Sequence, residues 1–207
     1  MRKVRIWIGR TVAGLAIAGT IAGAGVVWVF ACRARTEAEC DRLLRLARSA
    51  AALCDGNSIL SALADGQVPD SLRTVVTGAR EMSGGSVTRS AVVVRDGTKW
   101  RCLVGSGRAT FMSSTLDGGT GRPVREKEIP DPALAWIAGS SGVVVRGGIP
   151  LAAAYAPIRD RDGNTVALFG VEGSLGRCAP PLPMFWALSA VIVGCLLAAA
   201  VSSRTLA

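Results

Sequence analysis

The chain has 207 residues, half of them apolar, with a mean hydropathy of +0.39 and a formal charge of +9. That length holds one globular domain plus membrane anchors, and the hydropathy is high for a wholly water-soluble protein. Histidine is absent, which excludes Ser-His-Asp and Cys-His catalysis, histidine metal centres and a phosphoacceptor histidine.

Arg2, Lys3, Arg5 and Arg10 make residues 1–10 a basic tail ahead of an apolar run, 11–31. The run has about the twenty residues that a bilayer core needs, so it is expected to be a transmembrane helix. The positive-inside rule places the tail in the cytoplasm, although Arg33 and Arg35, diluted by Glu37, Glu39 and Asp41, follow the run. Gly19 and Gly23, beside Ala18 and Ala22, give it a face of small residues. Such faces favour close helix pairing and are also frequent by chance in apolar helices. A cleaved signal is the rival reading, with Cys32 lipidated at Val29-Phe-Ala-Cys32. The run is longer than the roughly 7–15 residues of a signal's apolar region, so a retained helix fits better.

Thr36-Glu-Ala-Glu39 reads as a capping box that opens a helix. Leu43, Leu44, Leu46, Ala47, Ala50, Ala51 and Leu53 keep helical spacing as far as Asp55-Gly56-Asn57. This long helix is expected to continue the first span after a short break. A shorter helix is predicted over 59–64, and Pro69-Asp70-Ser71 opens another that runs to Met82. Ser83-Gly-Gly-Ser86 then switches the pattern to strands. They are predicted at 91–94 and 99–104 around the turn Asp96-Gly97, at 142–146, and at 152–158 and 165–172 around Asp162-Gly163-Asn164. Gly105 to Asp131 reads as a long glycine-rich loop, and 132–137 as a helical turn bearing Trp136. The expected fold class is α+β, helices followed by a five-stranded antiparallel sheet with one long crossing loop.

A second apolar stretch, 183–203, is expected to return the chain to the cytoplasm for residues 204–207. Residues 32–182 then form an outer domain with 19 Lys/Arg against 15 Asp/Glu. That balance gives a modest bias towards anionic ligands. It lacks the basic stripe with interleaved aromatics that nucleic-acid binding requires. Cys195 falls in the second stretch, whereas Cys32, Cys40, Cys54, Cys102 and Cys178 fall on the oxidising side. Cys40 and Cys54 are fourteen residues apart on one predicted helix, about 21 Å, and cannot bridge. Cys32 and Cys178 would meet at the membrane surface if the two spans are neighbours. Unbridged buried thiols are an equal reading, and no pair has zinc-knuckle spacing.

The closing strands Ala154-Tyr-Ala-Pro-Ile-Arg-Asp160 and Val166-Ala-Leu-Phe-Gly-Val-Glu172, with Asp162-Gly163 between them, carry a resemblance. They resemble the end of a Cache domain, the PAS-like extracytoplasmic sensor of bacterial chemoreceptors, diguanylate cyclases and sensor kinases. Glu172 stands where the family usually has aspartate, and the family's tryptophan-glycine and amine-binding motifs are not visible. The resemblance extends more weakly over residues 33 to 176. It implies a PAS-like five-stranded sheet with a long N-terminal helix, flanked by two transmembrane helices in a bacterial inner membrane. Both termini would be cytoplasmic and the domain periplasmic, in a homodimer.

The resemblance also implies a ligand between the sheet and the crossing loop, within reach of Trp100, Arg101, Trp136, Arg146 and Tyr155. Arginine in a mostly apolar pocket suits a carboxylate. Taken singly, the three aromatics are read more simply as core packing and the two arginines as solvated. No enzymatic activity, metal or cofactor is expected. The turn Asp160 to Asn164 lacks the later glutamate of a calcium loop. Gly105-Ser-Gly107 and Gly118-Gly-Thr-Gly121 lack the lysine and helix of a phosphate cradle. The expectation is a small-molecule sensor module without an output domain, signalling through a separate membrane partner. The competing class is a non-sensory envelope scaffold with a ligand-free PAS-like domain, marked by a closed pocket and exposed apolar surface.

Overall fold

A computed structural model describes residues 2–84, 86–107, 123–146, 148–175 and 194. The chain divides into two units, Met1–Arg35 with Arg177–Ala207, and Thr36–Gly176. Helix α1 is assigned without interruption over Arg2–Ala52, followed by α2 (Gly56–Asp65) and α3 (Asp70–Met82). Strands β1 (Val87–Asp96), β2 (Lys99–Gly107) and β3 (Pro123–Val124) come next, then α4 (Pro132–Ile137). The unit closes with β4 (Ser140–Arg146), β5 (Ile149–Arg159) and β6 (Thr165–Ser174).

The α+β class and the helix-then-sheet order agree with the sequence, but among the described residues the sheet has six strands rather than five, in the order β3-β2-β1-β6-β5-β4. The extra strand is β3, whose two residues pair with Trp100 and Arg101 at the sheet's edge. Two residues are too few to show alternation, which is why this segment reads as loop. The expected loop 105–131 is likewise shortened at both ends, because β2 reaches Gly107 and a 3-10 turn covers Glu126–Glu128. Residues 108–122, which include the glycine run 118–121, lie outside the described residues.

The capping box does not start a helix. Residues ahead of Thr36 are already helical, so the amides a cap would satisfy already have carbonyls one turn back. Glu39 instead accepts two hydrogen bonds from Arg42, at 3.0 Å from Nε and 2.7 Å from Nη2. Arg42 Nη2 also donates to Ser86 Oγ. The expected break between the span and this helix is absent. Among the described residues no helix is long and apolar enough to cross a membrane. The side chains of 11–13, 15–18, 21 and 22 lie outside that description, as does the expected second span, 183–203, apart from Gly194. Cys40, Cys54 and Cys102 carry free thiols, and Cys178 lies outside the described residues.

Strand alternation gives the sheet two unlike faces. On one, Ala152, Ala154, Ala156, Ala167, Phe169 and Val171 pack against Leu43, Ala47 and Ala50 of α1, Ile59 of α2 and Val76 of α3. The alanines of β5 leave room for helices to approach, and Phe169, fully buried, fills the centre. On the other face Val93, Trp100, Cys102, Leu151, Ala153, Tyr155 and Leu168 meet Val124, Ile129 and Ala135.

Helix α2 begins where the backbone of β5 passes closest. Asp55 caps it, with its carboxylate accepting from the Asn57 amide at 3.2 Å and from Ser58 Oγ at 2.8 Å. A Cβ on Gly56 would lie 2.3 Å from the Arg159 carbonyl oxygen and 2.8 Å from the Asp160 amide nitrogen. Both obstacles are backbone and cannot rotate away. Gly56→Ala is therefore expected to cost about 1–3 kcal/mol or more as overpacking, read as a lower urea midpoint at unchanged slope. An alanine variant as stable as the parent would mean that α2 and β5 part freely.

Candidate functional site

The second face of the sheet is largely apolar and holds one linked cluster of charge, with Arg95 apart from it over the Trp100 ring. The register sets Arg89 of β1 opposite Glu172 of β6, and Tyr155 of β5 opposite Gly170 of β6. Because alternate residues share a face, Tyr155, Gly170 and Glu172 come together there. Arg146, the last residue of the edge strand β4, reaches the same place.

Glu172 sits at the centre, with 5% of its side chain exposed. Its Oε1 accepts from Arg146 Nη2 at 2.5 Å and lies 3.4 Å from the Tyr155 hydroxyl. Its Oε2 is 3.6 Å from Arg89 Nη1, an ion pair rather than a hydrogen bond. Arg146, 12% exposed, also donates from Nη1 to Glu128 Oε2 at 2.8 Å. Two guanidiniums and two carboxylates thus alternate across β1, β6, β4 and the 3-10 turn. Burial, followed by the charge of Glu172, pushes the Tyr155 hydroxyl far up, so the ring stays neutral. Burial pushes the Cys102 thiol up to about 11, which leaves it unreactive at neutral pH.

Aromatic rings pack on the same face. Trp100 of β2 and Trp136 of α4 meet edge to face, with centroids 5.6 Å apart and planes at 68°. Tyr155 lies against Gly170, where a Cβ would come within 2.4 Å of its ring. What remains is a cavity of about 10 Å³ bordered by Arg89, Tyr155, Gly170, Glu172 and Val124. That volume holds about one water molecule. Among the described residues no group of three or more acidic, cysteine or histidine side chains is placed to hold a metal ion.

Of the five residues expected to line a ligand pocket, Trp100, Trp136, Arg146 and Tyr155 share this face. Arg101 does not join them. It alternates with Trp100 and Cys102 along β2 and pairs with Asp96 at 2.8 Å on a partly exposed flank. Sequence reasoning did not single out Glu172, Arg89 or Glu128 as members of the site. For Glu172 a signal was present, since a lone carboxylate ends an apolar strand at a position whose alternation turns it inward. Arg89 fell before the predicted start of its strand, and Glu128 inside the predicted loop.

No family model matches the chain, and no curated protein matches it. Similar solved structures include an IclR-family protein from Rhodococcus sp., described as a transcriptional regulator, at 17% identity and a TM-score of 0.31 over 59% of this chain and 58% of that one. Another is the periplasmic domain of RsbU from Chlamydia trachomatis, at 11% identity and a TM-score of 0.37 over 80% of this chain and 56% of that one. The chain spans a little over half the length of each. With TM-scores below 0.5, neither likeness carries an argument about fold or function.

Proposed function

We propose that the chain is a membrane-anchored, extracytoplasmic module that senses a small anionic molecule and passes the signal to a separate membrane partner, as a homodimer. The observation that carries this reading is the Arg89–Glu172–Arg146–Glu128 network, with Glu172 buried and the other three half-buried, on a largely apolar sheet face. Buried ion pairs contribute little net stability, because desolvation offsets their attraction. Clusters of buried charge gather at functional sites more often than in inert cores. Glu172 occupies the position that a ligand carboxylate would take between two arginines, so ligand and Glu172 would compete for the same donors. A bidentate carboxylate on Arg146 would release the edge strand β4 from its hold on Glu172 across β5 and widen the cavity of about 10 Å³. The same strands carry α1 on their other face, so a change in sheet packing would be felt by the helix that leads to residues 11–31.

The test is a thermal-shift screen of the full chain in detergent against organic acids, amino acids, amines and sugars. A true ligand at a hundredfold over its dissociation constant adds about 2.7 kcal/mol of stability, a rise of several degrees for a domain of this size. An organic acid is the expected hit, with the shift abolished in Arg146→Gln. A cooperative melt that no compound moves would overturn the reading.

That outcome would favour the second one, a ligand-free domain that docks a protein partner. Its support is the small size of the cavity together with apolar exposure along the sheet's free edge, where Val143 is 49%, Val145 67% and Ile149 62% exposed.

A further inference from the structure

Elsewhere in the same unit, the end of α1 and the end of β5 leave an open groove of about 410 Å³. This is within the volume range of small-molecule sites, roughly 300–1,000 Å³. Its floor is small and apolar, with Ala51, Ala156 and Pro157, and Cys54 in its wall. Among the described residues its only charged lining residues are two arginines, Arg48 and Arg159.

Both guanidiniums are held in place by backbone carbonyls rather than by carboxylates. Arg48 Nη2 donates to the Ala138 carbonyl at 3.1 Å. Arg159 donates from Nη2 to the Ile137 carbonyl at 2.7 Å and from Nη1 to the Gly163 carbonyl at 2.8 Å. The end of α4 thus anchors both side chains, and most of their five N–H donors each remain to be used. Among the described residues neither arginine is ion-paired. The acidic residues beside the groove in sequence are engaged elsewhere. Asp55 caps α2, and Asp160 Oδ1 accepts from the amides of Asp162 and Asn164.

We propose that this groove binds a small organic anion, a carboxylate or a phosphate ester with a compact apolar body, gripped by Arg48 and Arg159. The carbonyl anchors pre-organise the two forks, so little side-chain entropy is lost on binding. The alanine and proline floor accepts the apolar body. The site is separate from the buried glutamate network and does not depend on the sensor reading drawn from it.

Cys54 provides the readout. Its Sγ donates to the Ala50 carbonyl at 3.4 Å, and burial pushes its thiol up to about 11, so it is alkylated slowly and at alkaline pH. The full chain is treated with iodoacetamide alone or with saturating benzoate, phenyl phosphate or neutral benzyl alcohol. Modification of the Cys54 and Cys102 peptides is followed by mass spectrometry. The expected result is at least a fivefold slowing at Cys54 by one or both anions, none by benzyl alcohol, and no change at Cys102. Protection by benzoate alone assigns the carboxylate, by phenyl phosphate alone the phosphate ester, and by both the shared anion chemistry. Arg48→Gln and Arg159→Gln should each remove the protection. Equal protection by benzyl alcohol, or none by either anion, would overturn the proposal. That comparison uses the unaltered chain, so it stands even if the glutamine variants loosen α4.

Discussion

Glu172→Ala is expected to destabilise the Thr36–Gly176 unit by about 3–5 kcal/mol, the loss typical when one partner of a buried ion pair is removed and the other is left uncompensated. Glu172 is the only carboxylate that touches both Arg89 and Arg146 among the described residues. Without it Arg146 loses its Glu172 partner but keeps Glu128, while remaining nearly buried between β4 and the 3-10 turn. Urea denaturation followed by tryptophan fluorescence measures the loss, since Trp100 lies on the same face. A cycle with Arg146→Ala should show a coupling of about 0.5–3 kcal/mol. A loss below about 1 kcal/mol at unchanged slope would place the network in solvent-like surroundings, where ion pairs contribute little. The glutamine variant separates stability from sensing. If a ligand carboxylate competes with Glu172, Glu172→Gln should bind that ligand more tightly even though the domain is weaker.

Phe169→Ala should have an effect of similar size through a different cause. Phe169 is fully buried in the central strand β6, directly across from Val92 of β1 and Ala156 of β5. On that face of β5 Ala154 and Ala156 have no side chain long enough to fill the gap, and Ile158 is already fully buried in its own place. Losing a ring there costs about 3–5 kcal/mol, the transfer term plus the cavity left behind, and a thermal midpoint lower by roughly 10 °C. Phe169→Leu keeps most of the volume and should cost less than about 1.5 kcal/mol. If alanine and leucine variants melt together, helices and sheet collapse onto the gap and the face is not close-packed.

Much of the fold was legible because it is local. Helix α3 covers the expected range from Asp70 to Met82, and α4 the expected 132–137. The turns at Asp96-Gly97 and Asp162-Gly163 are where expected, each with a glycine in the left-handed region, φ 60° and 82°. The site was legible only in part. Its aromatics and Arg146 stand out as large or charged residues in apolar strands. Arg101 directly follows Trp100, so alternation along β2 turns it to the other side of the strand.

The residues alone determined most of the helix and strand segments, β3 and the 3-10 turn excepted, and, through the two-residue period, which side chains within a strand share a face. Only the tertiary structure decided which strands are neighbours. Period two is satisfied equally by any strand order, because backbone ladders pair without regard to side chain. Setting β1 beside β6 brought Arg89 to Glu172 across 83 positions of chain, and setting β4 beside β5 brought Arg146 there across 26. The same is true of α1, whose capping box is overridden because the chain before Thr36 is already helical. A cap is a local signal, and whether it acts depends on what the preceding backbone has done.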